Sequence, residues 1–200
     1  MSFLEPKMRT AWKELYDDAA KEIMLMSHVA DNWIEFNFLN MKVVLTTRFV
    51  RNRRYENIYY VSVRIPFKSS SGFKLKMYDQ RTLSGLVAKI FAVQDIEIGD
   101  SKFDRNFIIQ SDDENKVMRL FSGNHIREAS YFPDVLEITI DSDGGFWTTT
   151  FPEGAKELCM TVSGITWDAN SYKSLVKLSG EVLITLIEMG IVENYLEVED

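Results

Sequence analysis

The residues best suited to chemistry are acids that cluster in one short stretch, residues 94–120. The four candidate metal ligands among them are Asp95, Asp100, Asp104 and Asp112. Calcium and magnesium bind carboxylate oxygens, so a metal-dependent hydrolase that uses the acids from Asp95 to Asp113 is one hypothesis. Their spacing matches no known binding loop, and a strand's outer face, a turn and a helix N-terminus account for most of them. The sequence therefore predicts no metal site and no cofactor.

Asp104 has a structural interpretation within this stretch. A turn at residues 104–106 would bring the flanking phenylalanines into the core from different directions. Aspartate commonly accepts backbone N–H hydrogen bonds in turns, so Asp104 is predicted to stabilise the turn rather than to bind a ligand. Further along, Ser111 and Glu114 have the spacing of a capping box, which predicts a helix with Ser111 as its N-cap.

The one local basic cluster lies near a predicted hairpin tip. It contains the arginines Arg48, Arg51, Arg53 and Arg54. Guanidinium groups pair well with carboxylate or phosphate, so an anion-binding tip is one interpretation. The other, which we favour, is a solvated hairpin end whose charge opposes aggregation.

No catalytic motif is found in the sequence. It contains no nucleophile elbow, no phosphate-binding loop and no dinucleotide fingerprint. The histidines are His28 and His125, and neither has a supporting signature. Cys159 is the single cysteine and lies in an apolar strand pattern, which predicts a buried, unreactive thiol. We assign no catalytic and no cofactor-binding residue, and the sequence favours a protein that is not an enzyme.

Composition limits the compartment and the partners. The chain has 200 residues, 46% of them hydrophobic, with a formal charge of −7 and a pI near 5.0. An acidic chain is a poor match for the nucleic-acid backbone or for anionic membranes, so neither is an expected partner. A single cysteine allows no intrachain disulfide, and no apolar run approaches the roughly 20 residues of a spanning helix. Because the N-terminus also lacks a signal-peptide pattern, we predict a cytoplasmic protein.

Periodicity predicts the elements of the fold. Alternating or β-branched segments predict strands at residues 33–38, 41–50, 58–67, 73–77, 96–98, 107–109, 136–140, 146–151 and 158–162. Helical spacing predicts helices at residues 5–23, 81–91, 111–121, 126–131 and 170–189. The first four strands are predicted to form an antiparallel meander.

The fold class follows from the order of these elements. Strands in runs, without regular alternation with helices, predict an α+β fold. We expect an antiparallel sheet packed against a long C-terminal helix and several shorter helices. The whole chain, residues 1–200, is predicted to be one domain, with the N-terminal helix at residues 5–23 as a candidate peripheral element.

Residues 94–120 have the sequence QDIEIGDSKFDRNFIIQSDDENKVMRL. This stretch resembles an uncharacterised family of soluble bacterial proteins of unknown function that share an IGDxxFDxxF block, here IGDSKFDRNF. The resemblance covers most of residues 63–190. It implies a bacterial chain that forms a single unit, and it provides no catalytic or binding residues to transfer.

Three functions remain as hypotheses. The leading one is a non-enzymatic cytoplasmic binding or protein-interaction module. Its two amphipathic helices, residues 6–23 and 170–189, would bind a protein partner or a second copy of the chain. The first alternative is a small-molecule or lipid carrier with an apolar pocket between sheet and helix. The second alternative is the metal-dependent hydrolase described above.

Overall fold

The structure is a computed structural model that describes residues 7–15, 17, 33–50, 58–80, 95–130, 135–141, 155–163 and 169–193. Several predicted features lie outside these residues. They are His28, Arg51, Arg53, Arg54, the helix at residues 81–91 and the strand at residues 146–151.

In the described part of the chain, seven strands form one antiparallel sheet. They are β1 (Trp33–Phe38), β2 (Met41–Val50), β3 (Ile58–Phe67), β4 (Leu75–Asp79), β5 (Phe107–Ser111), β6 (Val135–Asp141) and β7 (Lys156–Ser163). Their order across the sheet is β1-β2-β3-β7-β6-β4-β5. The sheet therefore consists of the hairpin-linked strands β1 to β3 and a second group of four strands, and the two groups join where β3 pairs with β7.

Five helical segments accompany the sheet among the described residues. They are α1 (residues 7–15), α2 (Ser101–Asn106), α3 (Glu114–Leu120), α4 (Asn124–Ala129) and α5 (Ala169–Glu188). The predicted α+β class, with its antiparallel sheet and long C-terminal helix, is confirmed.

The two faces of the sheet differ because successive side chains of a strand point to opposite sides. The face that α5 covers, which we name the packed face, carries an apolar row across six strands, none of whose members is more than 3% exposed. The row is Leu45, Val63, Met160, Ile138, Met77 and Ile109. On the opposite face, which we name the polar face, Lys76 Nζ lies 3.6 Å from Glu137 Oε1, and Lys74 Nζ lies 3.1 Å from Asp141 Oδ1.

Helix α5 lies directly on the packed face. The hydroxyl of Ser179 donates to Met160 Sδ at 3.3 Å, at the centre of the sheet. Helix α5 also contacts α1, where Trp12 Nε1 donates to the carbonyl oxygen of Val176 at 3.0 Å. The Trp12 ring also packs edge-on against Phe38 of β1, with ring centroids 4.8 Å apart. The described residues of α1 thus pack into the core through Met8, Trp12 and Leu15.

The predicted four-strand meander is wrong at its last step. Strand β4 does not pair with β3, because β7 and β6 lie between them. The connection from β3 to β4 passes β7 and β6, and it is hydrogen-bonded to Glu193. The backbone N–H of Glu193 donates to Lys68 O at 3.0 Å, and Glu193 Oε1 accepts from Ser70 N at 2.8 Å. These long-range contacts have no local signature in the sequence.

Three local predictions near residues 96–114 also need correction. Residues 96–98 are not a strand, although the backbone N–H of Ile96 donates to Ile109 O at 2.8 Å. The predicted turn before β5 is the short helix α2. The N-cap of α3 is Asp113, whose carboxylate accepts from Lys116 N, whereas the Ser111 hydroxyl donates to the carbonyl oxygen of Lys74, just before β4, and accepts from Asp113 N.

Candidate functional site

Asp104 holds the turn that leads into α2. Its Oδ1 accepts a hydrogen bond from Ile98 N at 2.9 Å, and its Oδ2 accepts one from Gly99 N at 3.1 Å. Gly99 has φ +81°, a left-handed conformation that glycine adopts without steric cost. Asp104 thus accepts backbone N–H hydrogen bonds, as predicted for its residue type, but the turn that it holds precedes α2 and is not the predicted turn at residues 104–106.

The other three candidate metal ligands also have structural partners. Asp100 caps α2, where its Oδ1 accepts from Lys102 N and Phe103 N at 3.1 and 3.2 Å. Asp112 Oδ1 accepts from the backbone N–H of Lys74 at 2.8 Å. Asp95 Oδ1 lies 3.5 Å from Gln110 Nε2. Within the described ranges, no group of three or more His, Cys, Asp or Glu side chains is placed to hold a metal ion.

Replacing Asp104 by alanine should lower the free energy of unfolding by about 1–3 kcal/mol, because two backbone donors in a partly buried turn lose their acceptor. The matched control is Asp95→Ala, which removes an exposed carboxylate and should change stability little. Urea denaturation measures both effects. If calcium or magnesium raised the melting temperature of the wild type but not of Asp104→Ala, the structural account of this acid would fail.

The arginine cluster is only partly described. Arg48 lies on β2, on the polar face, opposite Tyr60 of β3. The other three arginines lie outside the described residues, so both interpretations of the cluster, the favoured solvated hairpin end and the anion-binding tip, stay predictions.

A buried ion pair joins the two halves of the sheet on the polar face. Arg64 of β3 is 0% exposed and Glu157 of β7 is 6% exposed. Arg64 Nε donates to Glu157 Oε1 at 2.5 Å, and Nη2 donates to Oε2 at 3.0 Å, so both carboxylate oxygens are engaged. Beside this pair, the hydroxyls of Thr46 and Ser62 share a hydrogen bond of 2.6 Å. Sequence analysis missed both charges, because strand alternation assigns such residues to a solvated face.

Cys159 and Tyr78, two groups on the polar face that could act as nucleophile or acid, are held in their neutral forms. Burial raises the pKa of the Cys159 thiol to about 12, and the Glu157 carboxylate adds to this effect. Although the Cys159 residue keeps some exposure, its thiol is protonated at neutral pH. Burial also raises the pKa of Tyr78, as do the negative charges of Asp95 and Glu137. Neither group is prepared for nucleophilic attack, which agrees with the unreactive thiol predicted from sequence.

The two edges of the sheet differ in how they are covered. At the β5 edge, the segment before α2 lies alongside the strand through the hydrogen bond from Ile96 N to Ile109 O. At the other edge, β1 pairs with β2 and has no second strand neighbour within the residues that the structure describes.

The hairpin turn defines which backbone groups of β1 point outward. Leu39 and Asn40 form a two-residue turn with φ of 46° and 60°, which is the type I′ geometry of tight hairpins. The turn therefore closes on a hydrogen-bonded pair, Phe38 and Met41, and the pairs alternate from there along the strand. It follows that the N–H and C=O groups of Glu35 and Asn37 point away from β2.

The side chains of β1 present two kinds of surface along this edge. Ile34 and Phe36 lie on the packed face and are only partly buried against the core. Glu35 and Asn37 are exposed on the polar face, and Glu35 Oε2 lies 2.8 Å from Lys42 Nζ. Proteins often protect edge strands with proline, bulges or lysine on the strand, and β1 contains none of these in its six residues.

Comparisons with protein-family models, with curated proteins and with solved structures give no match to the chain. The resemblance of residues 94–120 to an uncharacterised bacterial family therefore stays a prediction. Among the helices of the described residues, none has the length and apolar character that a membrane crossing requires.

Proposed function

We propose that the protein is a non-enzymatic interaction module that binds an extended segment of polypeptide along β1. The observation that supports this most directly is the outer edge of β1, which has no strand neighbour among the described residues, whereas the β5 edge is accompanied by residues 95–98. An extended segment can add to an open edge as a further strand, with main-chain hydrogen bonds giving affinity and alternate side chains giving specificity.

The chemistry of the edge indicates which segment it fits. On the packed-face side, the incoming side chains would lie beside Ile34 and Phe36, which favours apolar residues. On the polar-face side they would lie beside Glu35 and Asn37, which favours basic or amide residues. The chain's net charge of −7 disfavours acidic segments.

The β1 edge differs from the amphipathic helices that the sequence suggested as the interaction surface. The apolar residues of α1 (Met8, Trp12 and Leu15) lie in the chain's own core, and those of α5 are buried on nearly every side of that helix. The apolar surfaces of the described parts of both helices are thus used within the chain, and the backbone edge of β1 is the better surface for a partner.

No specific observation favours the two alternative functions. A carrier needs an apolar pocket between α5 and the sheet, and there the Ser179 hydroxyl contacts Met160 directly. A metal-dependent hydrolase needs converging acids, and Asp100, Asp104 and Asp112 each accept backbone hydrogen bonds instead. We also place the module in the cytoplasm, where a lone cysteine is kept reduced.

A short fluorescent peptide of alternating valine and lysine residues should bind the wild type, as measured by fluorescence anisotropy. Asn37→Pro should weaken binding at least about tenfold, because proline removes an outward N–H that the added strand would use. The internal β1–β2 ladder does not use that N–H, and proline is tolerated on edge strands. The matched control, Asn37→Ala, keeps the N–H and should bind like the wild type.

A peptide of the same sequence with N-methyl groups on alternate residues separates strand pairing from simple charge attraction. It keeps the positive charge and loses backbone donors, so it should bind much more weakly than the parent peptide. Equal binding of the two peptides, or equal binding by Asn37→Pro and Asn37→Ala, would refute the proposal.

A further inference from the structure

We infer that the segment that pairs with β1 is β1 of a second copy of this chain, so that two sheets join into one across a two-fold axis at Phe36. This inference rests on the proposed function, because it needs the same edge of β1, which has no strand neighbour among the described residues. It goes further by naming the partner and the register of pairing.

Backbone geometry limits the possible registers. The outward N–H and C=O groups belong to alternate residues, Glu35 and Asn37, so a hydrogen-bonded pair must join residues of this set from the two copies. When two identical strands pair in antiparallel fashion, the two-fold axis then lies where one residue faces the same residue of the second copy. It does not lie midway between two successive residues. An axis at Glu35 places two carboxylates directly opposite each other, which is destabilising.

An axis at Phe36 gives the longest overlap without that repulsion. It places Glu35 opposite Asn37 of the second copy, and Ile34 opposite Phe38 of the second copy. An axis at Ile34 or at Asn37 also separates the carboxylates, but each pairs fewer residues of the six-residue strand. The strand is therefore most self-complementary when Phe36 faces itself.

The side chains on the packed face support this register. Phe36 and Ile34 are partly buried hydrophobic residues at the rim of the core. Pairing would place the two Phe36 rings against each other in a non-hydrogen-bonded pair, in which the Cα atoms approach to about 4.5 Å. Such aromatic cross-strand pairs stabilise antiparallel sheets. The dimer would thus cover apolar surface at the edge of each core.

The charge of the chain opposes association and so gives a distinctive salt dependence. Each copy carries a formal charge of −7, so two copies repel each other at low ionic strength. Added salt screens this repulsion over a Debye length of about 10 Å at 0.1 M. Dimerisation through β1 should therefore become stronger as sodium chloride is raised.

Sedimentation equilibrium on the full chain tests the association. The wild type should show a reversible monomer–dimer equilibrium that shifts toward dimer with salt. Asn37→Pro should raise the dissociation constant at least about tenfold, since the outward N–H of each copy is lost, while Asn37→Ala should leave it close to wild type. A wild type that stays monomeric at the highest concentrations would overturn the inference.

Disulfide cross-linking tests the register. In a Cys159→Ser background, Phe36→Cys should form a covalent dimer on mild oxidation, because the facing Cα atoms lie within the range that a disulfide spans. Ile34→Cys is the matched control. The two Ile34 positions would lie roughly 13 Å apart along the strands, so this variant should stay monomeric under the same conditions. Efficient cross-linking of Ile34→Cys without that of Phe36→Cys would overturn the Phe36 axis.

Amide hydrogen exchange separates failure of this inference from failure of the proposed function. In dilute monomer, the amides of Glu35 and Asn37 should exchange at least about tenfold faster than those of Ile34 and Phe36. If the chain stays monomeric, while the amides of Glu35 and Asn37 exchange fast and the peptide binds, self-pairing is overturned. The proposed interaction module is then still supported. Strong protection of Glu35 and Asn37 in dilute monomer would overturn both, because the chain itself would then occupy the edge.

Discussion

Replacing Glu157 with alanine is expected to lower the free energy of unfolding by about 3–5 kcal/mol, because it leaves a buried guanidinium without its carboxylate. The Arg64 side chain is fully buried and donates two hydrogen bonds to Glu157. Removing one partner of a buried ion pair leaves the other charge in the low-dielectric interior without compensation. Urea denaturation of the wild type and the variant measures the difference.

The control for this prediction removes both charges together. Arg64→Met combined with Glu157→Leu replaces the pair by apolar side chains, which in other proteins is often neutral or stabilising by about 1–4 kcal/mol. The double variant should therefore be clearly more stable than Glu157→Ala alone. A loss of less than about 1 kcal/mol in Glu157→Ala would show that the ion pair does not hold the sheet together, since that is typical of exposed pairs.

The position of this pair explains its expected effect. Arg64 and Glu157 are 93 residues apart in sequence, and they lie where the strands β1 to β3 meet the second group of strands. The register that joins β3 to β7 places Val63 opposite Met160 on the packed face, under α5. A shift of one residue would turn Arg64 into the apolar core. The ion pair thus helps to select the register that places the apolar side chains on the packed face and the two charged side chains on the polar face.

Local features of the fold could be predicted from the sequence, and long-range ones could not. Strands β2 and β3 and helix α5 have a period that can be measured within each segment, and they lie where the sequence predicts them. The place of β4 in the sheet was predicted wrongly, because a turn-rich segment such as residues 68–72 can connect two neighbouring strands as a hairpin or two distant strands as a crossover. The choice depends on contacts with Glu193, far along the chain.

The same distinction applies to the candidate site. That Asp104 accepts backbone N–H hydrogen bonds could be predicted from its residue type, but its partners Ile98 and Gly99 could not, because residues 104–106 were predicted as a turn and form part of α2. The N-cap of α3 was misassigned because Ser111 and Asp113 are equally good capping residues, and only the structure shows that the Ser111 hydroxyl bonds to Lys74 O and Asp113 N while Asp113 caps the helix. The place of β1 at an edge of the described sheet could not be predicted, since a strand's own sequence does not state its place in the sheet.

Gly180 is the second position where a single substitution should have a large effect. A Cβ atom on Gly180 would lie 2.0 Å from Trp12 Nε1, far inside contact distance, so the indole would have to leave its place on α5. Trp12 would then lose its hydrogen bond to Val176 and its contact with Phe38. We expect Gly180→Ala to lower the free energy of unfolding by about 2–4 kcal/mol, which circular dichroism during urea denaturation can measure.

A double-mutant cycle distinguishes this steric explanation from a general intolerance of α5 to substitution. Without the indole, alanine is the better helix former by about 1 kcal/mol, so Gly180→Ala should stabilise the Trp12→Ala variant. Gly72→Ala, at a glycine with open space around it, should have little effect. If Gly180→Ala destabilised both backgrounds equally, the contact with α1 would not be the reason for glycine there. A reversal of sign would show instead that α1 docks on α5 only because this helix position has no side chain.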